Sequence, residues 1–119
     1  MDTIKIPKHF PVVLNQVFEI ENKLKSISEN NSIQRNLDRI KDYFENEALQ
    51  DGQGLVYHNP IGQPYNVTRL DCEATISGND HENLVIIEVL KPIIYFKYAN
   101  TQMSVQKAIV IVQDRKSVV

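Results

Sequence analysis

Few side chains in this sequence have the type and spacing that chemistry requires, and the histidines are the first to consider. The three histidines are His9, His58 and His81, and no two of them have the helical spacing of a metal-binding motif. A structural or catalytic zinc site needs three or four ligands that converge on one point. The pattern therefore predicts solvated histidines and no metal site.

The single cysteine is the second candidate. Cys72 stands between Asp71 and Glu73, and two neighbouring carboxylates disfavour the thiolate form that a nucleophilic cysteine needs. We therefore predict that Cys72 is a core or edge residue. The two carboxylates would share one face of an extended chain, which is a weak sign of acid–base chemistry. An enzyme that uses them with His58 would require all three side chains to converge in a pocket.

The remaining catalytic signatures are missing from the sequence. Gly52-Gln53-Gly54 lacks the rest of a phosphate-binding fingerprint, and no G-x-S-x-G motif occurs. We therefore expect a protein that is not an enzyme and that needs no cofactor.

Charge and hydropathy argue against nucleic acid and membranes as binding partners. The chain has 119 residues and a formal net charge of −2, which argues against binding nucleic acid through a basic face. No apolar stretch approaches the ~20 residues of a membrane helix. The residues around Val12, Val13 and Leu14 form too short an apolar run for a secretion signal. The sequence predicts a cytoplasmic protein that contacts neither nucleic acid nor membrane.

The first elements that must position any site are helical. Apolar residues after Pro11 are spaced 4, 3, 4 and 3 apart, which is the seam of a heptad pattern. The seam residues, which we predict to mediate dimerisation, are Val13, Val17, Ile20, Leu24 and Ile27. A second seam begins at Ile33, after a loop at residues 28–32, and we expect its helix to be capped by Asn31 or Ser32 and to end near Gln50.

A seam of two heptads cannot bury itself. The two helices either pair within one chain as a hairpin or pair with a second copy as a dimerising stem, and the spacing leaves both arrangements open. We expect residues 1–51 to form this helical part.

The second half of the sequence reads as strands. The predicted strands lie at residues 55–57, 73–77, 83–90, 93–98, 103–106 and 108–113, separated by turns that include 78–82 and a loop at 61–65. Val110 and Val112 fall on one face of the last strand. The fold class is therefore α+β, with N-terminal helices followed by a small antiparallel β-domain at residues 52–119.

An ordered series of short motifs resembles GrpE-type nucleotide exchange factors. The matching segments are Gly62-Gln63-Pro64-Tyr65 for G-E-P-F, Cys72-Glu73-Ala74 for H-E-A, Glu88-Val89-Leu90-Lys91 with Tyr95 for E-V-L-x-x-G-Y, and Val105–Val112 for L-R-P-A-M-V-x-V. Residues 40–56 also resemble the last helix of that family and its glycine exit. Two extra residues separate Tyr65 from Glu73, and Gln106 replaces an arginine.

The resemblance implies a bacterial homodimeric co-chaperone whose β-domain docks on the nucleotide-binding lobes of a DnaK-type chaperone and promotes nucleotide release. The positions that it assigns to the chaperone contact are Tyr65, Glu73, Gln106 and Lys107. The alternative is a structural or assembly protein that binds an unrelated partner through the same β-domain.

Overall fold

The first helix carries its apolar residues on one side. In the computed structural model, which describes residues 6–27, 31–78 and 82–114, α1 runs from His9 to Leu24. Pro11 lies in its first turn, where the missing N–H leaves no hydrogen bond unmade. The buried residues are Leu14, Val17, Phe18 and Leu24.

The second helix, α2, spans Asn31–Asn46 and packs antiparallel against α1. The Phe10 and Phe44 rings meet edge to face with centroids 5.1 Å apart. Farther along α1, Glu21 accepts hydrogen bonds from Gln34 and Lys41 of α2. The helices thus form a hairpin within one chain. Because α2 already includes Asn31 and Ser32, the expected cap at one of these two residues is wrong, and part of the predicted loop at 28–32 lies outside the described residues.

Seven strands follow the helices in the described part of the chain. They are β1 Gln53–His58, β2 Pro64–Tyr65, β3 Cys72–Ser77, β4 Leu84–Lys91, β5 Ile93–Tyr98, β6 Thr101–Gln106 and β7 Ala108–Asp114. The strand positions agree with the sequence pattern except at β2, where a loop was expected. Residues 79–81 of the predicted turn at 78–82 lie outside the described residues.

The strands form two sheets. One sheet has the order β1-β5-β6 and the other the order β2-β4-β7-β3. The α+β prediction is confirmed, with helices first and a mostly antiparallel β-domain after them. One pair differs from the antiparallel expectation, because β3 lies parallel to β7, with Cys72 beside Ala108 and Ser77 beside Gln113.

Strand β7, one of the two inner strands of the four-stranded sheet, shows the clearest burial pattern. Along β7 the side chains of Ala108, Val110, Val112 and Asp114 are buried, and the residues between them are half-buried. This alternation is what the period of a strand requires when one face lies on a core. The register of β4 against β7 shifts twice, between Ile86 and Glu88 and between Val89 and Lys91.

The chain divides into two compact units. The first consists of Met1–Val56 with Phe96–Met103, and the second of Tyr57–Tyr95 with Ser104–Val119. The first unit holds both helices, and the second holds the four-stranded sheet. The boundary expected after residue 51 stays a prediction.

Candidate protein-docking site

The four positions that the family resemblance assigns to a partner contact lie in two places. Glu73 is exposed on β3, and Lys107 is exposed just before β7. Because β3 and β7 are parallel and start together, these two residues lie at the same end of the sheet. Tyr65, half-buried, pairs with Leu84 at the other end of β7, about 20 Å away at ~3.3 Å per residue.

Gln106, the fourth position, is engaged with its own chain. Its Nε2 donates a hydrogen bond to the carbonyl oxygen of Pro92 at 3.0 Å. The residue ends β6, immediately before Lys107, so it belongs with Glu73 and Lys107 rather than with Tyr65. The structure therefore brings together three of the four positions and leaves Tyr65 apart.

The connection between β2 and β3 is organised around Arg69. Its Nε donates to Asp71 Oδ1 at 2.6 Å, and its Nη2 donates to Gln63 Oε1 at 2.8 Å. Its Nη1 reaches the carbonyl oxygen of Pro64 at 3.2 Å. One guanidinium thus ties both ends of the segment together, with the planar fork geometry that lysine lacks.

The same cluster explains the electrostatics around Cys72. The hydrogen bond from Arg69 holds the pKa of Asp71 below its usual value and raises that of Arg69. Burial raises the pKa of the Cys72 thiol to about 11, and the Asp71 charge opposes the lowering effect of Arg69. Burial, followed by the Asp71 charge, raises the pKa of Tyr95. Cys72 is therefore a protonated core residue at neutral pH.

The three residues considered for acid–base chemistry, Asp71, Glu73 and His58, differ in their contacts. Asp71 is bound to Arg69, whereas Glu73 is exposed on the strand. Nε2 of His58 lies 2.8 Å from Nε2 of Gln63. The same Gln63 amide accepts a hydrogen bond from Arg69 through its Oε1. The polar network of the second unit thus runs from β1 to the β2–β3 connection and braces that connection.

A feature that the sequence reading missed is the exposure of two aliphatic side chains in that connection. Val67 and Leu70 are each 82% exposed, more than any other large hydrophobic residue among those described. The signal available in the sequence was the pair of extra residues between Tyr65 and Glu73 relative to the family pattern.

Formation of the hairpin buries some residues of the predicted dimerisation seam and leaves the others exposed. Val17 and Leu24 are buried in the chain's own core, at 3% and 4% exposure. Val13, Ile20 and Ile27, spaced by seven residues, remain between 40% and 50% exposed. The seam of α2 divides in the same way, since Leu37 and Phe44 are buried whereas Ile33 and Ile40 are exposed.

The described ranges contain neither a metal-ligand cluster nor a membrane-spanning helix. Among residues 6–27, 31–78 and 82–114, no three histidine, cysteine or acidic side chains group as a metal site would require. Neither helix in those ranges has both the length and the apolar character needed to span a bilayer.

Comparison with known proteins adds no relative. No protein-family model, curated protein or solved structure matches the chain.

Proposed function

We propose that this chain is a GrpE-like, non-enzymatic co-chaperone of the cytoplasm that binds a DnaK-type chaperone and promotes release of its nucleotide. The observation that carries the proposal is the architecture, which has the element order that the motif series implies: helices, then a mostly antiparallel β-domain. Within that domain, exposed Glu73 and Lys107 at one end of the sheet supply the charged contacts.

Such a factor acts by linkage and breaks no bond. It binds the open, nucleotide-free chaperone better than the closed one, and nucleotide must weaken its binding by the same factor. A preference of ~5.5 kcal/mol would move the chaperone from 1:99 to 99:1 in favour of the open state. The β-domain surface has to supply this difference through contacts made only with the open lobes.

The helices complete the proposal as a homodimer interface. The exposed row Val13–Ile20 flanks the buried row of α1, and the exposed row Ile33–Ile40 flanks the buried row of α2; Ile27, also exposed, follows the end of α1. In an antiparallel hairpin, by helix geometry, rows displaced from the core in the same rotational sense lie on the same side of the pair. One apolar strip on the hairpin is thereby available to an identical strip of a second copy.

Sedimentation velocity tests the dimer. Ile20→Asp places a charge in the strip and should convert a dimer to a monomer, whereas Val12→Asp, at 58% exposure on the same helix but outside the strip, should leave it intact. A wild-type chain that sediments as a monomer at tens of micromolar would remove the dimer from the proposal.

Release of a fluorescent nucleotide from a DnaK-type chaperone tests the activity. Wild-type protein should accelerate release in stopped flow, and Lys107→Glu should reduce the acceleration through loss of its charged contact. Ser104→Glu, which introduces a carboxylate at another exposed position of the second unit and lowers the net charge by one unit where Lys107→Glu lowers it by two, serves as the control. Unchanged release at saturating wild-type protein would contradict the proposal.

A structural or assembly protein with an unrelated partner is the second candidate, and the position of Gln106 favours it. The side chain that replaces the family's arginine bonds to Pro92 of its own chain and lacks a charge for an outside partner. This candidate predicts a stable complex with another protein, together with no effect on nucleotide release by the chaperone.

A further inference from the structure

The side chains of His58 and Gln63 meet across the short turn that follows β1. Their Nε2 atoms lie 2.8 Å apart. The backbone sets this approach, because the Gln63 N–H donates to the Pro60 carbonyl oxygen at 3.1 Å. The Gln63 carbonyl oxygen in turn accepts a hydrogen bond from the Ile86 N–H of β4 at 2.9 Å. Two nitrogen atoms at this distance form a hydrogen bond only if one of them donates and the other accepts.

Arg69 determines which way the Gln63 amide is turned. A guanidinium carries donors and no acceptor, and Nη2 of Arg69 donates to Gln63 Oε1 at 2.8 Å. The guanidinium is itself held by Asp71, whose Oδ1 accepts from Arg69 Nε at 2.6 Å. With Oε1 facing the guanidinium, the NH2 group of Gln63 faces His58 and is the donor of that contact.

A donating amide fixes the protonation state of His58. Its Nε2 has to present a lone pair, so the neutral ring carries its proton on Nδ1. A protonated ring would direct an Nε2–H at the NH2 group of Gln63. Turning the amide over would satisfy His58, but it would direct the NH2 group at Nη2 of Arg69. Protonation therefore breaks one hydrogen bond in either orientation of the amide.

We propose that His58 is a pH-sensitive switch for the β2–β3 connection. The neutral ring completes the series of hydrogen bonds that runs through Gln63 and Arg69 to Asp71. As the pH falls through the range in which an imidazole takes up its proton, between about pH 8 and 5, that series is broken and the connection loosens. The switch requires no partner protein, so it and the co-chaperone function stand or fall on separate measurements.

The other ionisable groups near the pair do not titrate in that range. Arg69 and Asp71 neutralise each other. Further groups lie on β1 itself, on its sheet neighbour β5, on β2, which follows Gln63, and on β4, which bonds to the Gln63 backbone. They are Tyr57, Tyr65, Glu88, Lys91, Tyr95 and Lys97. Such groups ordinarily keep their charge state between about pH 5.5 and 7.5, so His58 is the member of this set that changes charge there.

NMR spectroscopy of the histidine rings tests the assigned tautomer. At about pH 8.5, two-bond ¹H–¹⁵N correlations of the wild-type protein should show at least a threefold or so excess of the Nδ1–H form at His58. Gln63→Ala removes the donor and should abolish the excess. His9, exposed at the start of α1, is the internal reference and should be the same in both proteins. An Nε2–H form in excess at His58, or an excess that survives in Gln63→Ala, would overturn the switch.

Solvent exchange of the Arg69 Nε–H tests the effect on the connection. Measured by NMR relative to free arginine at the same pH, exchange should be roughly three- to tenfold faster at pH 5.5 than at pH 7.5, as expected for the loss of about one hydrogen bond. Gln63→Glu reverses the polarity, because one carboxylate oxygen accepts from Arg69 and the other accepts from protonated His58. In that variant the relative exchange should not rise as the pH falls.

His81→Gln is the matched control, since it removes a histidine that also titrates in this range but lies outside the described residues. It should keep the wild-type pH response, whereas His58→Asn should lose it. A response that disappears in His81→Gln, or that is the same in wild type and Gln63→Glu, would overturn the switch. Exchange that is independent of pH in the wild type would do so as well, even with the expected tautomer at His58.

Discussion

The burial of side chains follows different rules in the helical hairpin and in the four-stranded sheet. On α1, one apolar row is buried and the adjacent row is exposed: Leu14 is 1% exposed, whereas Val13 is 40% exposed. On β7, every second residue is buried without exception from Ala108 to Asp114. A strand fixes burial by its period of two, whereas a helix with a broad apolar side leaves its flanking row dependent on what packs there.

The largest effect should come from a helix residue that the hairpin buries. Leu14→Ala should lower the free energy of unfolding by about 2–5 kcal/mol, because it leaves a cavity in the core. Val12→Ala, on the same turn but exposed, should change it by less than about 0.5 kcal/mol. Urea denaturation followed by circular dichroism measures both. Similar losses in the two variants would show that the hairpin is not packed as described.

The next largest effect concerns the thiol of the sheet. With its pKa raised to about 11 by burial, Cys72 should react with a disulfide reagent at pH 8 roughly two orders of magnitude more slowly than a free thiol, because so little thiolate is present. Unfolding in urea should restore fast reaction. Fast reaction of the folded protein would show that Cys72 is accessible and that the start of β3 opens readily.

The third largest effect should come from adding a side chain at Gly54, in the first unit, where the backbone of α2 approaches closely. A Cβ at Gly54 would clash with the backbone carbonyl oxygen of Glu45 in the last turn of α2, so Gly54→Ala should destabilise by about 1–3 kcal/mol through overpacking. Gly62, in the second unit, has open space around its Cβ direction but a φ of +81°, so Gly62→Ala should lose only ~1 kcal/mol through strain. Thermal melts rank the two, and a reversed order would contradict the close approach at Gly54.

The smallest effect is the pH dependence of the salt bridge between Arg69 and Asp71. Because the pKa of Asp71 is lowered in the folded state, its contribution to stability is present above the unfolded pKa and is lost as the pH falls below about 4. Asp71→Asn should destabilise by up to ~1 kcal/mol at pH 7. The difference from wild type should shrink towards pH 3 in urea titrations. A gap independent of pH would assign the loss to packing instead of charge.

Much of the secondary structure followed from local pattern. The break at Pro92 separates β4 from β5 where expected, because proline cannot donate a ladder hydrogen bond. The predicted end of α2 near Gln50 was too late, since the helix ends at Asn46. The short strand β2 was missed, because two residues beginning with Pro64 carry no alternation that could reveal a strand.

For the candidate site, the sequence indicated which residues to consider but not how far apart they lie in the fold. The motif series named Tyr65, Glu73, Gln106 and Lys107, but only the strand order shows that Tyr65 lies at the other end of β7. Nothing in the sequence near Arg69 indicates that its guanidinium reaches back to Gln63.

The amino-acid sequence by itself determined the two helices and every strand except β2, and hence the α+β class, because periods of 3.6 and 2 are local properties of a chain. Only the tertiary structure decided that β3 runs parallel to β7, that the hairpin buries Leu24 but leaves Ile20 exposed, and that Val67 and Leu70 face solvent. Those outcomes depend on contacts between residues distant in sequence, and the same local pattern is compatible with several such pairings.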